Sequence, residues 1–169
     1  MRWWARGQRM RQPATTRPHS EPADGSHAVP QFLSPSWVEE FNSALEGVGL
    51  PGAAPDVGLA AADGRFTVVQ EVQGAPDGDL RVILHVDAGT LRLSLTAVGG
   101  GADETAADVT IALSYEDAVA MSAGELTPAE ALNAGRIRVR GDLSVLVAGQ
   151  RMLQAARDAT ASLRSSTTF

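Results

Sequence analysis

Hydrophobic residues at every second position constrain this chain more than any other feature of its sequence. In residues 80–87, LRVILHVD, leucines and valines at the even numbers alternate with Arg81, Ile83, His85 and Asp87. Because successive side chains of a β-strand point to opposite faces, this pattern predicts a strand with one apolar side and one water-facing side. The apolar side needs a second layer of structure to cover it.

The segments on either side of residues 80–87 repeat the alternation. Short turns at residues 76–79 and 87–90 separate them, which predicts an antiparallel meander of three strands. The residues predicted to share the apolar face with Leu80, Val82, Leu84 and Val86 are Phe66, Val68 and Val72 in the first strand and Leu91, Leu93 and Leu95 in the third.

Two later segments are predicted to be strands with an apolar face on the same side. Val109, Ile111 and Leu113 alternate in the fourth, while the fifth, RIRVRGD at residues 136–142, sends Ile137 and Val139 inward. Its outward residues are predicted to be Arg136, Arg138 and Arg140. Five one-faced strands with helices on the same side predict an α+β fold of two layers.

Side chains able to cap a first turn mark the helix starts. Ser36 with Glu39 three residues later forms a capping-box sequence, and Trp37, Phe41 and Leu45 follow on one apolar face. Further helix starts are predicted at Ser114 with Asp117, at Thr127 with Glu130, and at Asp142.

The chain of 169 residues accommodates one domain with tails. Residues 1–31, rich in Arg, Pro and Ser, are predicted to form a disordered basic leader, residues 32–160 the domain, and residues 161–169 a flexible tail. No apolar run approaches the roughly 18 residues of a membrane span. An alternative for the leader is transient contact of its arginines and Trp3-Trp4 with an anionic membrane surface.

Charge is distributed unevenly within the net value of −6. The leader holds five arginines against two acidic residues, while the remainder holds nine arginines against eighteen acidic residues. A negative domain repels phosphate backbones, so we expect no nucleic-acid partner. The absence of cysteine excludes disulfides and thiol chemistry.

No residue pattern predicts catalysis. His85 lies on the predicted outer face with Asp87 two residues on, and acid–base chemistry needs a substrate site that nothing nearby supplies. The glycine run at residues 99–101 does not fit a dinucleotide-binding motif. Arg140-Gly141-Asp142 is interpreted as a turn from strand to helix, not as an adhesion signal. We expect no enzymatic activity, no metal and no cofactor.

Residues 107–154, ADVTIALSYEDAVAMSAGELTPAEALNAGRIRVRGDLSVLVAGQRMLQ, resemble the second half of the sterol carrier protein type 2 family. The shared succession is a strand ending in Ser, a short helix, a Gly-x-Leu turn, a second short helix, a Gly-Arg-hydrophobic-Arg-hydrophobic-x-Gly-Asp segment and a final helix. The preceding helix and three strands fit the first half in order and length, so the resemblance covers residues 32–160.

The resemblance implies a mixed, mostly antiparallel five-stranded sheet with helices on one face. It also implies non-enzymatic binding or carriage of an apolar ligand, such as a fatty acid, a fatty acyl-CoA or a sterol-like lipid. Without a Ser-Lys-Leu ending, a cytoplasmic location is expected. The residues predicted to line the ligand site are Phe41, Leu45, Val82, Leu84, Leu93, Leu95, Met121, Leu132, Leu146 and Met152.

Two alternatives stay open on the sequence. The inward leucines and valines fit a filled core as well as a cavity, and a large dry cavity would be too costly, so it is expected to be partly collapsed or occupied by lipid. The outward arginines fit a solvated sheet face, or a surface where a partner protein docks if the domain is an interaction or accessory module.

Overall fold

The structure is a computed structural model that describes residues 29–51, 64–87, 89–98 and 106–169. Its sheet has five strands in the order β3-β2-β1-β4-β5. The strands are β1 (Arg65–Gln73), β2 (Leu80–Asp87), β3 (Thr90–Ala97), β4 (Val109–Ser114) and β5 (Arg138–Gly141). All neighbouring pairs are antiparallel except β1 and β4, which are parallel. The predicted α+β fold with a mixed, mostly antiparallel sheet is confirmed.

The sheet register places the predicted inward residues in common rows. Val68 pairs with Leu84, which pairs in turn with Leu93 on the edge strand β3. All three are buried, so the alternation correctly predicts the inner face. The outer face is predicted to be exposed to water, and Val69 on that face is an exception. It is only 6% exposed and lies between its cross-strand neighbours Ile83 and Thr110.

Five helices accompany the sheet in the part of the chain that the structure describes. They are α1 (Pro35–Leu45), α2 (Tyr115–Ala123), α3 (Pro128–Asn133), α4 (Ser144–Ala159) and α5 (Ala161–Ser165). Helix α1 packs against β3, α4 and α5, whereas α2 packs against β1 and β4. None of the described helices is long and apolar enough to cross a membrane.

The first helix begins earlier than its sequence indicates. Ser34, not Ser36, is the N-cap: its backbone is extended and its hydroxyl accepts a hydrogen bond from the Trp37 amide at 3.2 Å. Pro35 then occupies the first helical position, where its missing N–H costs nothing. Ser36 is therefore already helical, and the predicted box of Ser36 with Glu39 is wrong.

The helix starts predicted at Ser114 and Thr127 are confirmed, whereas the N-cap residue of α4 is Leu143, one position after the predicted cap Asp142. Ser114 accepts from the Asp117 amide at 3.0 Å. Thr127 and Glu130 form a reciprocal capping box. The Asp142 carboxylate accepts from the Ser144 amide at 2.9 Å, directly before α4. Each cap supplies a partner for a backbone N–H that the first turn leaves unpaired.

Arg136 does not lie on the outer face of the sheet, contrary to the prediction. Strand β5 begins only at Arg138, and the Arg136 guanidinium instead forms an ion pair with Asp117 of α2. The Asp117 side chain is 8% exposed, so the pair joins the start of α2 to the segment entering β5. Arg138 and Arg140 remain exposed on the outer face, as predicted.

Residues 161–169 are packed onto the domain, whereas the sequence predicts a flexible tail. They contain α5, whose Leu163 is buried, and then a segment that pairs with the residues before α1. The Phe32 amide donates to the Thr168 carbonyl at 2.8 Å, and the Thr168 amide donates to the Pro30 carbonyl at 3.1 Å. The predicted leader lies outside the described residues up to residue 28, and so does the glycine run at residues 99–101.

Candidate functional site

A cavity of about 250 Å³ lies between the inner face of the sheet and the helices that cover it. Most of its wall is hydrophobic and comes from the segment before α1, from α1, α2 and α4, and from four strands. The hydrophobic lining residues are Phe32, Leu33, Trp37, Phe41, Val82, Leu84, Leu91, Leu93, Leu113, Ala118, Met121, Leu153 and Ala156. Such a wall can hold an apolar group by burial alone.

Helix α1 is fixed over the edge strand by a reciprocal side-chain contact. The Asn42 amide group donates to the Leu93 carbonyl at 2.8 Å, and the Leu93 amide donates back to the Asn42 side-chain oxygen at 2.8 Å. These bonds satisfy backbone groups that an edge strand otherwise exposes. They also place Phe41, one position before Asn42, against the cavity that Leu93 lines.

An aromatic cluster closes the cavity beside α1. The rings of Phe32 and Trp37 meet edge to face at 5.1 Å, and Trp37 lies 5.4 Å from Phe41. Leu33, which follows Phe32 and precedes the N-cap residue Ser34, has φ +58°. This left-handed conformation costs a residue with a Cβ about 1–2 kcal/mol. Leu33 is nevertheless buried and lines the cavity, so local backbone strain is retained at this site.

Five polar residues line the same cavity. Gln70 is on the inner face of β1, Ser122 is on α2, and Thr160 lies at the junction of α4 and α5. The two charged members are Arg157 near the end of α4 and Arg164 in α5. No acidic residue is among the described residues that line the cavity, so its charge is positive.

Half of the sequence-predicted site residues meet at this cavity. Phe41, Val82, Leu84, Leu93 and Met121 line it. The others lie elsewhere: Leu45 borders a separate surface depression, Met152 is fully buried in the core, Leu95 and Leu146 are half-buried against the core, and Leu132 is 49% exposed. The ten residues therefore do not form one wall.

Several lining residues were missed although the sequence carries a signal for some of them. The alternation of β1 places Gln70 between the inward Val68 and Val72, which marks a polar side chain on an apolar face. Arg157 and Arg164 are seven residues apart, the spacing of one helix face. That signal is hidden because residues 161–169 are predicted to be a tail.

Two other candidates for chemistry lie outside the cavity. His85 is exposed on the outer face, where its Nδ1 lies 3.3 Å from the Thr67 hydroxyl. Burial raises the pKa of Tyr115, whose hydroxyl has no hydrogen-bond partner among the described residues. Its ring lies 6.0 Å from that of Phe32, so Tyr115 is a packing residue beside the aromatic cluster. The described residues contain no group of His, Cys, Asp and Glu able to hold a metal.

Comparison with known proteins gives one family and one fold. The model of the SCP-2 sterol transfer family matches residues 59–154. A crystal structure of sterol carrier protein 2 is 20% identical, with a TM-score of 0.51 over 79% of this chain and 98% of that one. No curated protein matches the chain significantly.

Two further solved structures are similar at lower scores. A solution structure described as possibly a sterol carrier protein from Thermus thermophilus is 17% identical, with a TM-score of 0.49 over 82% of this chain and 92% of that one. The crystal structure of Sterol Carrier Protein 2 Like 2 from Aedes aegypti is 20% identical, with a TM-score of 0.41 over 66% and 88% of the two chains.

Proposed function

The chain belongs to the SCP-2 sterol transfer family, and from this premise we propose that it binds and carries one apolar ligand in the cavity between sheet and helices. The ligand classes are those of a fatty acid, a fatty acyl-CoA or a sterol-like lipid. The observation that carries the proposal is the largely hydrophobic wall of a 250 Å³ space inside a small domain.

The hydrophobic wall supports occupation by a ligand, because the space is partly open and its apolar surface is otherwise in contact with water. An apolar ligand that fills the space recovers packing contacts and buries its own surface at about 25 cal/mol per Å².

The volume favours a slender ligand. Pockets for drug-sized molecules usually hold about 300–1,000 Å³, and this cavity lies just below that range. A single alkyl chain fits such a space better than a wide ring system. Binding of this kind needs no catalytic group, and the role that we propose is non-enzymatic.

Displacement of a fluorescent fatty acid by dodecanol and dodecanoate tests the proposal. Ala118→Phe, which adds a ring to the cavity wall, is expected to lower the affinity for both ligands at least tenfold. Ala129→Phe adds the same ring at an exposed position of α3 and is the matched control. If Ala118→Phe does not fold, Met121→Trp narrows the same wall.

Saturable binding that is weakened at position 118 and retained at position 129 supports the proposal. It is contradicted if the wild-type protein binds none of these ligands, or if a folded Ala118→Phe protein binds as tightly as the wild type.

The sheet-face alternative receives no support from the geometry. Arg136 is engaged with Asp117, which leaves Arg138 and Arg140 as the exposed arginines of the fifth strand. Arg81 is paired with Glu71 at 3.1 Å on the same face. We therefore do not extend the proposal to a protein-docking surface there.

A further inference from the structure

The polar side chains of the cavity differ in kind from its apolar wall, and we propose that they form a subsite for an oxyanion headgroup. Arg157 and Arg164 would bind a carboxylate or phosphate, and the attached alkyl chain would lie against the leucines of β2 and β3. The inference rests on the proposed function, since it assigns a head and an orientation to the apolar ligand.

The two arginines supply positive charge without a compensating acid. Arg164 has no hydrogen bond or ion pair through its side chain within the described ranges, and Arg157 uses one nitrogen to donate to the Met121 carbonyl at 3.0 Å. Guanidinium stays charged at all relevant pH values, and its planar array of donors fits carboxylate and phosphate oxygens. Both side chains are half-buried, which strengthens their attraction for an anion relative to a fully solvated arginine.

The junction of α4 and α5 brings these arginines to one wall. Thr160 ends α4 and precedes α5 with φ −96° and ψ 14°, close enough to helical geometry for the helical spacing to continue. Its hydroxyl donates to the Ala156 carbonyl at 2.9 Å, which fixes the junction in the interior. Positions 157, 160 and 164, at spacings of three and four, all line the cavity.

Gln70 marks the opposite wall of the subsite. Its cross-strand neighbours on the inner face are Val82 and Ile111. Gln70 is therefore a polar residue at a position where the alternation of β1 predicts a hydrophobic one. No hydrogen bond of this half-buried amide to another described residue occurs. The donors of its NH₂ group are therefore available to a headgroup oxygen, which would accept from them.

Gln70 lies among apolar lining residues, with Val82 beside it and Leu113 one row further toward α2. Gln70 is two residues beyond the row of Val68, Leu84 and Leu93, on the side where β4 continues into α2. Leu91 extends the apolar wall in the other direction along the sheet. The ligand that fits is a single alkyl chain with one anionic end, and an uncharged alcohol of equal length lacks the group that the arginines bind.

Calorimetric titration with dodecanoate, dodecyl phosphate and dodecanol tests the proposal. The wild-type protein is expected to bind at least one of the two anions about 10- to 100-fold more tightly than the alcohol, the range of one or two charge-assisted hydrogen bonds. Which anion binds more tightly identifies the headgroup. Arg164→Gln and Arg157→Gln are expected to remove most of this preference.

Arg151→Gln is the matched control, because Arg151 is exposed on α4 and does not line the cavity. Equal affinity of the wild-type protein for all three ligands overturns the subsite and leaves the proposed function intact, whereas binding of none overturns both. A preference for the anions that persists in the double variant Arg157→Gln/Arg164→Gln also overturns the subsite. If a variant fails to fold, equal affinities of the wild-type protein for the three ligands still overturn the subsite.

Discussion

Among the glycines that the structure describes, Gly141 has the backbone closest to the position of an added Cβ. Its φ is +96°, and a Cβ at this position would lie 2.2 Å from the Asp108 carbonyl oxygen, which belongs to the backbone and cannot rotate away. We expect Gly141→Ala to lower the free energy of unfolding by about 3 kcal/mol or more, measured by urea denaturation. The glycine of the Arg-Gly-Asp sequence thus serves the turn from β5 to α4.

Gly124→Ala separates the cost of the positive φ from the cost of the close approach to the Asp108 carbonyl. Gly124 also has a positive φ, +83°, but a Cβ there would meet no atom within 4 Å. Its replacement is expected to cost only the left-handed penalty of about 1–2 kcal/mol. Equal losses at the two positions would contradict the role assigned to the Asp108 carbonyl.

The buried carboxylate of Asp117 forms an ion pair with Arg136. Arg136→Ala leaves a carboxylate that is 8% exposed without its cation, and we expect a loss of about 2 kcal/mol in the free energy of unfolding. Arg138→Ala, on the solvated outer face, is expected to change it by less than about 0.5 kcal/mol.

A double-mutant cycle with Asp117→Ala measures the coupling directly. We expect a coupling free energy of about 0.5–3 kcal/mol between positions 117 and 136. No coupling, or equal effects of the Arg136 and Arg138 variants, would rule out the pair. The sequence alone could not reveal it, because strand alternation assigns Arg136 to the face opposite α2.

The helix caps show which features of the fold can be predicted from neighbouring residues in the sequence. Thr127 with Glu130 and Ser114 with Asp117 cap as predicted, since both partners lie within one turn. The sequence does not distinguish Ser34 from Ser36 as the N-cap, because both flank Pro35 and either hydroxyl could cap the helix. In the structure Pro35 is the first helical residue, so Ser34 is the N-cap.

The cap of α3 also predicts a pH dependence. Hydrogen bonds from the Thr127 hydroxyl and amide lower the pKa of Glu130, so the ionised carboxylate is favoured in the folded state. This contribution to stability is present above the unfolded-state pKa and is lost as the pH falls through the folded-state pKa. Thr127→Ala is expected to raise the pKa of Glu130 in an NMR titration, while Thr127→Ser leaves it low; an unchanged pKa in Thr127→Ala would exclude this cause.

One of the side-chain contacts that hold residues 166–169 joins Thr167 to Trp37 and can be removed by substitution. The Trp37 indole N–H donates to the Thr167 hydroxyl at 3.0 Å, and that hydroxyl donates to the Leu163 carbonyl at 2.6 Å. Thr167→Val leaves the half-buried indole N–H unpaired. We expect the amides of Phe32 and Thr168 to exchange with solvent about tenfold faster in this variant.

Ser165→Ala is the control, because the Ser165 hydroxyl bonds only within α5. Unchanged exchange in Thr167→Val would show that backbone pairing and the packing of the Phe169 ring on Phe32 hold the segment without this hydrogen bond. This packing was not predictable from local sequence: a run of mostly polar and small residues looks like a tail until Pro30, Gln31 and Trp37, far along the chain, supply the partners.

At the scale of the whole molecule, the alternation pattern predicts the two faces of the sheet closely. It does not predict all of the strand pairs. Strict alternation predicts which faces are apolar, and short turns predict the meander of β1 to β3. The parallel pairing of β1 with β4 depends on contacts distant in sequence, and the family resemblance implies a mixed sheet without saying which strands are parallel. Likewise, periodicity could not distinguish fully packed Met152 from cavity-lining Met121, because both lie on inward faces.

The most direct test of the account is methyl NMR of the wild-type protein titrated with dodecanoate. Cavity methyls of Leu84, Leu93 and Leu113 are expected to shift in a saturable manner. Those of Leu132 and Val147, which are exposed, are expected to stay in place. Shifts confined to the exposed methyls, or none at all at saturating ligand, would contradict the central claim that this domain holds an apolar chain between its sheet and helices.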